Sequence, residues 1–65
     1  MGELLRLRQV IAKTTLSRSK IYGMMKEGTF PKSYNLGGRM VAWKVSDIDE
    51  WMMNLAITTF PSQDT

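Results

Sequence analysis

The segment from Thr14 to Lys32, TTLSRSKIYGMMKEGTFPK, carries a full set of helix start and stop signals, and it dictates what its neighbours can form. Ser17 is a residue type whose hydroxyl accepts from the free N–H groups of a first helical turn. Leu16, just before it, stands five positions ahead of Ile21, the spacing of a hydrophobic staple that sets the angle of entry. Gly28 readily takes the left-handed backbone that closes a helix, and Pro31 follows three positions on. These signals predict a helix from Arg18 to Glu27. At 3.6 residues per turn, Ile21, Met24 and Met25 share a side with the Gly28 end, and that side faces a core. Ser19, Tyr22, Gly23 and Lys26 fall on the other side or on its flank. Arg18 lies in the first turn, where a long side chain reaches toward a ligand. Ser17, Ser19 and the exposed amides of that turn suit an anion such as a phosphate.

The flanking chain extends the pattern. Leu7, Val10 and Ile11 repeat at i, i+3 and i+4, which predicts a first helix from Leu7 or Arg8 to Lys13, with Arg8 and Lys13 in water. Thr14-Thr15-Leu16 is then a three-residue link. Two short helices so joined, the second capped and basic, make a helix-turn-helix, although such links usually contain a glycine and this one does not. Leu4-Leu5-Arg6-Leu7 suits a brief extended segment that pairs with something later, and the residues before it are expected to fray. After Gly28 the periodicity turns alternating: Tyr34 and Leu36 are two apart, as are Val41 and Trp43, with Gly37-Gly38 between. That predicts a β-hairpin over residues 33–44 whose tip presents Gly38-Arg39, a wing in form. No phosphate-loop spacing surrounds the two glycines, so they read as a turn. Ser46 with Asp49 has capping-box spacing, with Asp47, Asp49 and Glu50 in the first turn. Ile48, Trp51, Met52 and Leu55 then mark an amphipathic helix reaching Ala56 or Ile57. The expected fold is α+β, mostly α: a small winged helix-turn-helix of three helices with a β-hairpin wing. Residues 1–57 form the domain and residues 58–65 a flexible tail.

Composition narrows the function. Sixty-five residues make one domain near the lower size limit for an unstapled core. With no cysteine and no histidine, a Cys/His zinc site, a disulfide framework and histidine acid–base chemistry are excluded. No enzyme activity, cofactor or metal is expected. No apolar run approaches the roughly 20 residues that span a bilayer, and the N-terminus lacks the pattern of a secretion signal. The expected location is the bacterial cytoplasm, in association with the nucleoid. Charge is placed unevenly: all nine basic residues lie between Arg6 and Lys44 against one acid there, Glu27, while four acids and no base follow Lys44. A basic side opposite an acidic side favours a polyanion on one face.

The candidate DNA-binding residues are therefore Ser17, Arg18, Ser19, Lys20, Tyr22, Lys26, Lys32 and Arg39, and the expected partner is double-stranded DNA. A basic helix face is also what any solvated helix shows, and it is the wing tip and the charge segregation that favour the nucleic acid. Tyr22 either donates its hydroxyl to a phosphate or closes the edge of the core. Phe30, Trp43 and Trp51 read as core, and Met24 and Met52 as filler on apolar faces. Met40 and Met53 do not sit on such faces. With the acidic third helix they offer an alternative, a protein-interaction module that inhibits a partner regulator.

The run SRSKIYGMMKEGTFPK, then LGGRMVAW, then SDIDEW resembles the AlpA family of phage-derived regulators, small relatives of excisionases with a MerR-like winged helix fold. The resemblance covers about Leu5 to Trp51, with the Ser-Arg-Ser, Ile-Tyr, Gly-x-Phe-Pro-Lys and Ala-Trp pieces in the family's order and spacing. It implies a prophage-type DNA-binding protein that activates or represses an integrase-type promoter, or an accessory factor that bends DNA for excision. It further implies that the helix at Ser17 to Glu27 enters the major groove and that the hairpin at Gly37-Gly38-Arg39 meets the backbone or the minor groove. At Gly23 this chain departs from the family, which commonly has Arg or another long polar residue there. One short helix and one wing make a small footprint, so a homodimer or a cooperative array on DNA is expected.

Overall fold

The computed structural model describes residues 3–55, so the tail expected at residues 58–65 lies outside the described residues. The elements run β1 (Leu4–Leu5), α1 (Leu7–Thr14), α2 (Arg18–Glu27), β2 (Tyr34–Gly37), β3 (Met40–Lys44) and α3 (Val45–Met53). This is the expected three-helix α+β arrangement, with β1 as an added strand beside the hairpin.

α2 has the bounds that its signals predict. The Ser17 hydroxyl accepts from the Lys20 N–H at 3.1 Å. Gly28 closes the helix at φ 82°, its N–H donating to the Met25 carbonyl at 3.1 Å while the Thr29 N–H donates to the Met24 carbonyl at 2.9 Å. These two bonds satisfy carbonyls that a bare helix end leaves orphaned.

The link lacking a glycine is made by a threonine in glycine's conformation. Thr15 takes φ 63° and donates its N–H to the Ile11 carbonyl at 2.7 Å. The Thr14 hydroxyl donates to the Val10 carbonyl at 2.8 Å and accepts from the Leu16 N–H at 3.3 Å. Together these bonds impose a left-handed backbone on a β-branched residue that disfavours it, at a cost of about 1–3 kcal/mol.

The sheet is antiparallel throughout, in the order β1-β3-β2. The N-terminal extended segment pairs Leu4 with Lys44 and Leu5 with Trp43. In the hairpin, Tyr34 opposes Ala42 and Asn35 opposes Val41. A bulge then leaves Leu36 unpaired before Gly37 meets Met40.

Each helix contributes one fully buried residue to the core, Val10, Ile21 and Ile48, and β3 contributes Trp43. Phe30, between α2 and β2, completes the cluster, with Leu5, Leu7, Ile11, Leu16, Met24, Met25, Val41, Trp51 and Met52 packed around it. Both staple residues thus reach the core, and Met24 and Met52 fill its edges. Burial of such side chains stabilises by roughly 1.5–3 kcal/mol each.

Two expectations for α3 require correction. Ser46 is not its N-cap: the helix begins at Val45, the cap position is Lys44 with no side-chain bond, and only Asp47 falls among the acids in the first turn. The reason is that β3 runs straight into α3. The Val45 N–H donates to the Glu3 carbonyl at 2.9 Å, so backbone from the β1 side does the work expected of a hydroxyl. The helix also ends at Met53, with Asn54 as its C-cap, which leaves Leu55 beyond the end and exposed instead of on the apolar stripe.

The segment between α2 and the wing is held by two indoles. Trp51 Nε1 donates to the Thr29 carbonyl at 2.9 Å, and Trp43 Nε1 donates to the Pro31 carbonyl at 3.1 Å. Phe30, between those carbonyls, packs edge-on against Trp51 with ring centroids 4.8 Å apart. Trp51→Phe keeps an aromatic ring and removes one of these donors, so it is expected to cost about 1 kcal/mol in urea unfolding. Thr15→Gly relieves the left-handed threonine and is expected to stabilise by about 1 kcal/mol. That raises the thermal midpoint by about 4–8 °C, readable by circular dichroism.

Candidate nucleic-acid interface

Of the nine basic residues, three are engaged within the fold. Lys13 Nζ lies 3.2 Å from Asp49 Oδ1 and ties α1 to α3. Arg6 Nε donates to the Val41 carbonyl at 3.1 Å, so this arginine braces the sheet edge. Lys44 Nζ sits 5.0 Å from the centroid of the Tyr34 ring, a cation–π contact. Asp47 Oδ2 accepts from the Tyr34 hydroxyl at 3.4 Å on the same side of the molecule.

The other six, Arg8, Arg18, Lys20, Lys26, Lys32 and Arg39, have no carboxylate at salt-bridge distance among the described residues. Arg18, Lys20 and Lys26 lie exposed on α2, Lys32 on the link after it, and Arg39 at the hairpin turn. Lys32 lines an open groove together with Asp47 and Glu50, beside Pro31, Tyr34, Trp51 and Asn54. Arg8, read from the sequence as a solvated residue, is exposed in the first turn of α1.

The hydroxyl candidates divide. Ser17 spends its acceptor on the helix cap, leaving its own O–H to donate. Ser19 is exposed, and the N–H groups of Arg18 and Ser19 have no partner among the described residues, so the start of α2 presents free donors. Of the two roles left open for it, Tyr22 takes the one at the edge of the core. Its ring meets Trp43 edge-on with centroids 6.4 Å apart, and its side chain remains 39% exposed. None of the hydrogen bonds among the described residues uses its hydroxyl. Through that ring α2 touches β3, the strand that carries the wing.

The match to known proteins agrees with this architecture. The family described as "Prophage CP4-57 regulatory protein (AlpA)" matches residues 3–56. The chain belongs to the AlpA family. Among its relatives, the uncharacterized protein ORF88 of Enterobacteria phage P4 is 44% identical over 48 residues, 74% of this chain. The match spans about half, 54%, of that phage protein's length. AlpA of Escherichia coli K12, described as a DNA-binding transcriptional activator, is 40% identical over 55 residues, covering 75% of this chain and 79% of that protein. No solved structure gives a significant match.

Gly23 stands in the middle of the outward face of α2, where the AlpA family resemblance leads one to expect a long polar side chain. Its φ is not positive, and a Cβ built there meets nothing within 4 Å, so neither backbone nor packing requires glycine. Gly23→Ala is therefore expected to stabilise the fold by about 0.5–1 kcal/mol, measured by urea unfolding.

Proposed function

We propose that this chain is a sequence-specific DNA-binding transcription regulator of the prophage type, with α2 in the major groove and the hairpin wing on the backbone or in the minor groove. The observation that carries the reading is the set of cations left without carboxylate partners, among the described residues, on α2, on the link and at the wing tip. Family membership and the E. coli AlpA relative support it.

In this reading Arg18, Ser19 and Tyr22 reach base edges or adjacent phosphates. Ser17, Lys20, Lys26, Lys32 and Arg39 hold the sugar–phosphate backbone. The free amides of Arg18 and Ser19 add donors and the positive end of a helix dipole to the same place. A guanidinium matches the two acceptors on a guanine edge, so Arg18 carries sequence preference, whereas Lys26 acts as a point charge on phosphate. A footprint of one helix and one wing is small, and binding as a homodimer or as a cooperative array follows from that size.

Selection of bound sites from random DNA at two salt concentrations tests the reading, and failure to enrich any sequence at low salt would contradict it. On the selected site, Arg18→Ala is expected to lose about 1–3 kcal/mol and to relax the preference at one base pair. Lys26→Ala should weaken selected and random DNA alike. Equal losses on both DNAs for Arg18→Ala would remove it from base reading.

A further inference from the structure

Two large apolar side chains stand in water at the wing tip. Leu36 is 43% exposed and Met40 is 47% exposed, and neither packs against the core. The bulge sets Leu36 and Gly37 of β2 together against Met40 of β3, so Leu36 and Met40 flank the turn that holds Arg39. That turn is narrow. Gly37 and Gly38 take φ 117° and 57° with nothing within 4 Å of where a Cβ would stand, and Asn35 Oδ1 accepts from the Gly37 N–H at 2.7 Å. The tip is thus a slim projection made of one guanidinium, with no carboxylate partner among the described residues, between two apolar side chains.

We propose that Leu36 and Met40 form a wedge that enters the minor groove of duplex DNA, parts one base-pair step and kinks the helix, with Arg39 seated in the groove beside it. The inference rests on the DNA-binding reading above and names the device by which the wing acts on the duplex. Charge decides the occupant: among the described residues the tip and α2 both present cations without carboxylate partners, so the complementary surface is a polyanion, and a second copy of the same tip would bring like charge. An apolar wedge beside an arginine is the combination that unstacks a step from the minor-groove side. Wedge entry is easiest at pyrimidine–purine steps, so the wing would add sequence preference at a position without hydrogen-bonded readout.

The test uses the full chain and a duplex of about 40 base pairs recovered by selection from random DNA, with circular-permutation gel shifts for the bend and permanganate reactivity for unstacked thymines. The wild-type complex is expected to bend the duplex by roughly 20–90° and to expose thymine at one step. The double variant Leu36→Ser/Met40→Ser, altered only at exposed positions, should keep its thermal midpoint and bind with at most about tenfold loss, leaving the duplex straight and unreactive. A bend that survives in the double variant overturns the wedge. So does a bend retained with loss of cooperative binding, which would make the patch a contact between copies. Tight wild-type binding to an unbent, unreactive duplex sinks the wedge alone, whereas no binding to any duplex at low salt sinks the DNA-binding reading with it.

Discussion

The donation of two indole N–H groups to the carbonyls of Thr29 and Pro31 sets how α2 is held against the wing. Those carbonyls flank Phe30, which is buried in the core, and they belong to a stretch with no regular secondary structure of its own. Backbone in such a stretch lacks partners unless side chains supply them, and a donor reaching from β3 and another from α3 do so. The link is therefore pinned from two elements at once. With Tyr22 against Trp43, α2 and the strand carrying the wing share one aromatic contact surface. In a domain this small, aromatic residues serve both as core volume and as the joints between elements.

Much of this was legible in the chain. Ser17, Gly28 and the Leu16–Ile21 staple mark α2 to the residue, because capping is local chemistry between a side chain and the nearest free backbone groups. Val10, Ile21 and Ile48 followed from helical periodicity, and Phe30 and Trp43 from the aromatic area a small core needs. What was not legible depends on contacts distant in sequence. The start of α3 is satisfied by Glu3, more than forty positions earlier in the chain, so a hydroxyl cap at Ser46 had nothing left to do. The turn between α1 and α2 contains a threonine where glycine was the natural expectation, because the hydroxyl of Thr14 and the amide of Thr15 together hold that conformation.

The candidate interface was only partly visible in the same way. Net charge and its segregation pointed to a basic side, but a charge count treats all nine cations alike. The structure separates them: Lys13, Arg6 and Lys44 serve the fold, and Lys32 shares a groove with two carboxylates. Which cations remain free is a property of packing across α1, α3 and the sheet, and no sequence window contains it. The bulge at Leu36 is likewise a consequence of register, and it is what brings that side chain and Met40 to one end of the hairpin.

The central proposal is that α2 and the wing tip, joined by a link that two indoles pin, present one surface to a duplex. Amide chemical-shift mapping of the labelled protein titrated with duplex DNA tests this directly. The account predicts that shifts concentrate in Ser17 to Lys26 and in Gly37 to Arg39, with Asp47 to Met53 left unmoved. Shifts concentrated on α3, or on α2 with the wing tip silent, would contradict it.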